Sequence, residues 1–141
     1  MRFMVLVKAD AESESGKLPD EALLVEMGKF NQELIDAGAM LAGEGLHPTS
    51  KGVRIHFAGK GKATVSQGPF QLTGDTLAGY WLVEMDSKQE AIDTFKRAPF
   101  EHGQIELRQV FEPEDFDPVI KTAEGRATIE AEREFKERSS S

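Results

Sequence analysis

Glu44 and His47 stand three apart in Glu44-Gly45-Leu46-His47-Pro48, a pair of residue types suited to chemistry. A carboxylate accepts hydrogen bonds, and an imidazole binds ligands or moves a proton near neutral pH. Gly45 and Pro48 shape the loop that presents them. The same histidine can equally serve its own loop by bonding backbone groups. Arg108 is a charge inside a segment otherwise built for burial. Its planar fork suits an anionic ligand, or it pairs with Glu44, Glu84 or Glu106 or reaches solvent at the sheet edge. Phe70 follows a Gly-Pro turn, and Trp81 sits beside Tyr80 in an apolar run. Aromatics there can wall a pocket, or belong to a core or an interface. The candidate ligand-binding set is therefore Glu44, His47, Phe70, Trp81 and Arg108. The first two and Arg108 would supply polar groups, and the aromatics apolar wall. No residue is assigned a catalytic role.

Other chemistries find little support. The three histidines, His47, His56 and His102, are scattered without ligand spacing, so no metal site is expected. Gly59-Lys60-Gly61 lacks the frame of a phosphate loop, and no G-x-S-x-G serine elbow occurs. No cofactor is expected. Arg54, His56 and Lys62 form a small basic patch that reads as a solvated face. The formal net charge of -8 argues against direct contact with nucleic acid or an anionic membrane surface. Cysteine is absent, which excludes disulfides and thiol chemistry and suits the cytoplasm. The apolar runs fall far short of a membrane span, and acidic residues follow Met1–Lys8 where a leader would be cleaved.

The elements that must position these residues follow from periodicity. Phe3, Val5 and Val7 alternate with Met4 and Leu6, giving a first strand apolar on both faces. Asp10 to Lys17 reads as a polar loop. Asp20 is a plausible N-cap for a helix whose stripe is Leu23, Leu24, Met27, Phe30, Leu34 and Ile35, ended at Gly38. A strand over Ala39–Gly43 leads to the Glu44–Pro48 loop. Val53, Ile55 and Phe57 open a hairpin that turns at Gly59-Lys60-Gly61 and returns to Ser66. Leu77 to Met85 is the central strand. Ser87-x-x-Glu90 caps a helix carrying Ala91, Ile92 and Phe95, ended by Pro99. The last strand runs from Ile105 to Phe111, with Ile105, Leu107 and Phe111 on one face. The fold class is thus α+β: a ferredoxin-like split βαβ pattern with the Arg54–Ser66 hairpin inserted.

Several short motifs occur in order: Gln67-Gly68-Pro69-Phe70, Gly79-Tyr80-Trp81, Arg97-Ala98-Pro99-Phe100 and Ile105–Phe111. With Ala42–Pro48 they resemble the YCII-related family, in its Asp-Gly-Pro-Phe branch, over about Arg2 to Phe116. The resemblance implies a dimeric α/β barrel, two ferredoxin-like subunits packed sheet against sheet. The sequence argues for the same end: two amphipathic helices cover one sheet face, while the central strands are apolar on both. A homodimer is expected. Related proteins use a His–Asp pair with the histidine on the first helix. Here that helix has no histidine, and the branch aspartate is Gln67, an amide that cannot titrate. What the resemblance implies is a cofactor-independent small-molecule-binding or enzyme-like protein. The alternative is a non-enzymatic regulatory or assembly protein, linked to transcription through a protein partner.

Composition shifts after Asp117, dividing the chain into a domain over 1–117 and an extension over 118–141. Ala123, Ala127, Ala131 and Phe135 recur every four residues, predicting a helix over about Gly125–Arg138 held by a narrow face. Ser139-Ser140-Ser141 is expected to be disordered.

Overall fold

The computed structural model describes residues 1–139. It is a mixed α+β fold of two antiparallel sheets and four α-helices. The larger sheet joins β1 (Arg2–Lys8), β2 (Met40–Gly45), β5 (Leu77–Glu84) and β6 (Ile105–Gln109) in the order β2-β5-β1-β6. Every neighbouring pair is antiparallel. The smaller sheet is a ribbon of β3 (Val53–Phe57) and β4 (Ala63–Gln67) alone. The helices are α1 (Ala11–Glu14), α2 (Glu21–Asp36), α3 (Lys88–Phe95) and α4 (Ala123–Ser139).

Register sorts the large sheet into two faces. Phe3 pairs with Val83, and Val5 with Trp81, so all four side chains share one side. There they pack with Phe30 and Leu34 of α2 and with Ala91 and Phe95 of α3 to form the core. Met4, Leu6, Tyr80 and Leu82 alternate onto the other face and are only half-buried.

Helices α2 and α3 start where their caps require. Asp20 accepts from Leu23 N at 2.8 Å, and Ser87 accepts from Glu90 N at 3.1 Å. Gly38 follows α2 at φ +69°, a left-handed conformation natural to glycine. The predicted stripe of α2 is buried only in part. Phe30 and Leu34, one turn apart, are buried, whereas Leu23, Leu24 and Ile35 are exposed. Ile35 lies about 100° around the axis from Leu34, off the line that meets the sheet.

Four further expectations are corrected. The Asp10–Lys17 loop contains the single turn α1, closed by a capping box in which Asp10 accepts from Ser13 N while Ser13 Oγ accepts from Asp10 N. The last strand ends at Gln109. Phe111 lies beyond it, 65% exposed, with its ring 5.0 Å from that of Phe116. In α4 the alanines and Phe135 are exposed, and Ile129 is the buried residue. That helix lies against the 3-10 turn Pro113–Val119, tied by Arg126–Asp117 and Arg133–Glu114 ion pairs. Ser139 is helical, its hydroxyl donating to Phe135 O at 3.0 Å, while Ser140 and Ser141 lie outside the described residues. No helix among the described residues is long and apolar enough to cross a membrane.

Candidate functional site

The Gln67-Gly68-Pro69-Phe70 turn does not stand free. It docks on a 3-10 turn, Thr49–Lys51, through backbone and side chain together. Gly68 N donates to Gly52 O at 2.9 Å, and Phe70 N donates to Thr49 Oγ1 at 3.0 Å. The Gly68–Pro69 peptide is cis. A Cβ at position 68 would stand 1.8 Å from Thr49 O, so only glycine allows this approach.

Thr49 is the junction of three segments. Its hydroxyl donates to Glu14 Oε2 at 2.6 Å, and its backbone N–H donates to Glu14 Oε1 at 3.1 Å. One carboxylate at the end of α1 thereby fixes the turn that receives Phe70. A charge-assisted pair of this kind is stronger than a neutral one.

The docking leaves a cleft of about 440 Å³. His47, Pro48, Val53 and Arg54 line it, and Phe70 and Leu77 contribute apolar surface. Arg54 lies over the Phe70 ring, its guanidinium carbon 3.9 Å from the ring centre. That contact is a cation–π pair. Asp75 also reaches the cleft, and Lys8 Nζ lies 3.4 Å from its carboxylate. Lys8 in turn contacts Glu106 at 3.3 Å. Hydrogen bonds from Lys8 and then Arg108 hold the Glu106 carboxyl below its usual range.

Of the five residues singled out from sequence, His47 and Phe70 line this cleft. The other three stand elsewhere in the chain. Glu44 is exposed on edge strand β2, opposite Tyr80. Trp81 is 5% exposed in the core, its ring 5.3 Å from Phe95, with Nε1 donating to Asn31 Oδ1 at 2.8 Å. Arg108 is exposed on β6 and lies 3.3 Å from Glu106. Strands β2 and β6 are opposite edges of the sheet, three spacings apart, or about 14 Å. Arg108 and Glu44 therefore do not converge within one chain.

Sequence reasoning passed over Arg54, Thr49 and Glu14. Arg54 belongs to the basic patch read as a solvated face, and its stacking depends on the ribbon folding back over Phe70. Glu14 and Thr49 are 35 residues apart, beyond any local pattern. The cue that was available is Gly68-Pro69 itself, a turn constrained enough to imply a docking partner. Among the described residues no group of His, Asp and Glu is arranged to hold a metal ion.

A search of curated proteins found no significant match. The family comparison is positive: residues 1–114, which include helices α1 to α3, all six strands and the whole cleft, match the YCII-related domain. The chain belongs to the YCII-related family.

Proposed function

We propose that this protein is a small, homodimeric, ligand-binding or enzyme-like member of the family's Asp-Gly-Pro-Phe branch, with its ligand site in the His47–Phe70 cleft. One observation carries the reading: His47 and Phe70, chosen from sequence for their chemistry, meet around a single cleft. Its volume falls within the range of small-molecule pockets, and its wall combines apolar surface with a few polar groups. The branch assignment rests on Gly68-Pro69-Phe70, with glutamine in place of the motif's aspartate. His47 is the candidate proton-transfer or ligand-contact group, because Gln67 cannot titrate.

The scaffold reading is a ferredoxin-like unit that pairs into an α/β barrel. Strand order β2-β5-β1-β6 with α2 and α3 on one face supports it. So does the second sheet face, where Met4, Leu6, Tyr80 and Leu82 are half-buried. A second copy stacked sheet to sheet would cover them. The unit occupies residues 1–117, α4 is an extension, and the setting is cytoplasmic.

A second reading is favoured by the ribbon. Val53, Ile55, Phe57 and Val65 share one of its faces and are all more than half exposed. A two-stranded ribbon is marginal alone, so such a face suits a protein partner and an assembly role. Two measurements separate the readings. Light scattering at micromolar concentration should give a dimer; a monomer would contradict the scaffold reading. A small molecule that raises the melting temperature should lose its effect in His47→Ala while the dimer persists. If no small molecule does so and the ribbon captures a protein partner, the assembly reading replaces the first.

A further inference from the structure

The cleft is lined largely from a segment without acidic side chains in an otherwise acidic protein. Residues 45–74 contain no aspartate or glutamate, although the chain has 25 acidic residues. That segment holds Lys51, Arg54, Lys60 and Lys62, a formal +4, leaving -12 on the rest of the chain. Charge so divided marks a local field rather than a general solubility device.

Elsewhere the basic groups are largely neutralised. Arg2, Lys8, Arg97, Arg108, Arg126 and Arg133 each lie within ion-pairing distance of a carboxylate. Among the described residues, none of His47, Lys51 and Arg54 makes such a pair, and all three line the cleft. The acid that does reach it, Asp75, is met by Lys8 instead. Arg54 is also held in place. Stacking on Phe70 restrains its long side chain and leaves the in-plane N–H groups free for a planar acceptor.

We infer that the cleft takes a small organic carboxylate, bound through the Arg54 fork with Lys51 adding positive charge and His47 a ring N–H donor, and with its apolar body against Leu46, Val53 and Leu77. This inference rests on the cleft being the ligand site. It adds the charge and class of the ligand. The apolar side chains favour an organic acid over a bare inorganic anion, which would leave them uncovered. Stacked arginine is suited to the task, because a carboxylate can accept two parallel N–H bonds from one guanidinium.

The test compares benzoate with benzamide, which has the same ring and no charge, and with inorganic phosphate. Binding is followed by perturbation of the Thr49 and Phe70 amide signals in the intact protein. Benzoate is expected to bind about tenfold more tightly than benzamide, the weight of a charge-assisted bond in a half-open cleft. Arg54→Gln should abolish that preference, and Arg54→Lys should restore only part of it. Arg54 is exposed, so these variants should fold normally. Equal binding of benzoate and benzamide at Thr49 and Phe70 overturns the carboxylate inference and leaves the cleft as a ligand site. A charge preference that survives Arg54→Gln overturns the role of Arg54. Phosphate binding as tightly as benzoate overturns the organic class. No perturbation by any of the three overturns the carboxylate inference.

Discussion

Gly68→Ala puts the docking of the Gly-Pro-Phe turn to a quantitative test. The new Cβ would stand 1.8 Å from Thr49 O, 2.8 Å from Thr49 C and 3.2 Å from Gly52 O. All three are backbone atoms, so no side chain can swing aside. Contacts of this kind are not seen below 3.0 Å, so the two turns must part by about 1.2 Å. The Gly68 N–Gly52 O bond, now 2.9 Å, and the Phe70 N–Thr49 Oγ1 bond, now 3.0 Å, cannot both survive that movement. Losing one or both costs about 1–3 kcal/mol. Gly74→Ala is the control, because a Cβ there meets nothing within 4 Å and the residue's φ is not in the left-handed region. Urea denaturation of both variants measures the difference, with hydrogen exchange at Phe70 reporting whether the loss is confined to the turn. Gly68→Ala should be less stable than Gly74→Ala by at least about 1 kcal/mol, or show that loss in local exchange. If neither global stability nor Phe70 protection changes, the docking is not what holds Phe70 in place.

Three further outcomes follow from named contacts. Trp81→Ala should destabilise by about 3–5 kcal/mol in chemical denaturation, because the indole fills the core between Phe30 and Phe95; Trp81→Phe should cost less, chiefly the bond to Asn31. Glu106 should titrate by NMR below an ordinary glutamate, and Lys8→Met should move it back up. Its folded pKa is depressed, so any stability it contributes is present above the unfolded value and lost as pH falls through the folded one. Truncation after Pro118 should leave a folded dimer, since Ile129 is the buried residue α4 contributes; an insoluble or monomeric product would make α4 part of the interface instead.

What was legible in the sequence depended on range. The strand at Phe3–Val7 showed itself through alternation, that at Leu77–Met85 through its aromatic and apolar run, and Asp20 and Ser87 through cap chemistry, because all these signals are local. The buried fraction of α2 was not legible. Leu23, Leu24 and Ile35 satisfy a helical stripe, yet burial depends on where the sheet lies beneath the helix. The single turn α1 is too short to produce a period, although Asp10 and Ser13 cap it. At the site, His47 and Phe70 were visible because Pro48 and Gly68-Pro69 mark constrained loops. Arg54 over Phe70 and Glu14 on Thr49 were not, because each joins segments that only the folded chain brings together. Trp81 shows the opposite ambiguity: its residue type fits a pocket wall as well as a core, and packing against Phe30 and Phe95 puts it in the core.

The most direct test of the cleft as ligand site is a thermal-shift screen of small molecules on the wild-type protein, with each stabilising compound repeated on Phe70→Ala. Phe70 is half-buried beneath Arg54, so its loss should open the cleft while sparing the distant core. The expected result is at least one compound that raises the melting temperature of the wild type and has little or no effect on Phe70→Ala. Stabilising compounds that act equally on both proteins would place ligand binding elsewhere and contradict the account.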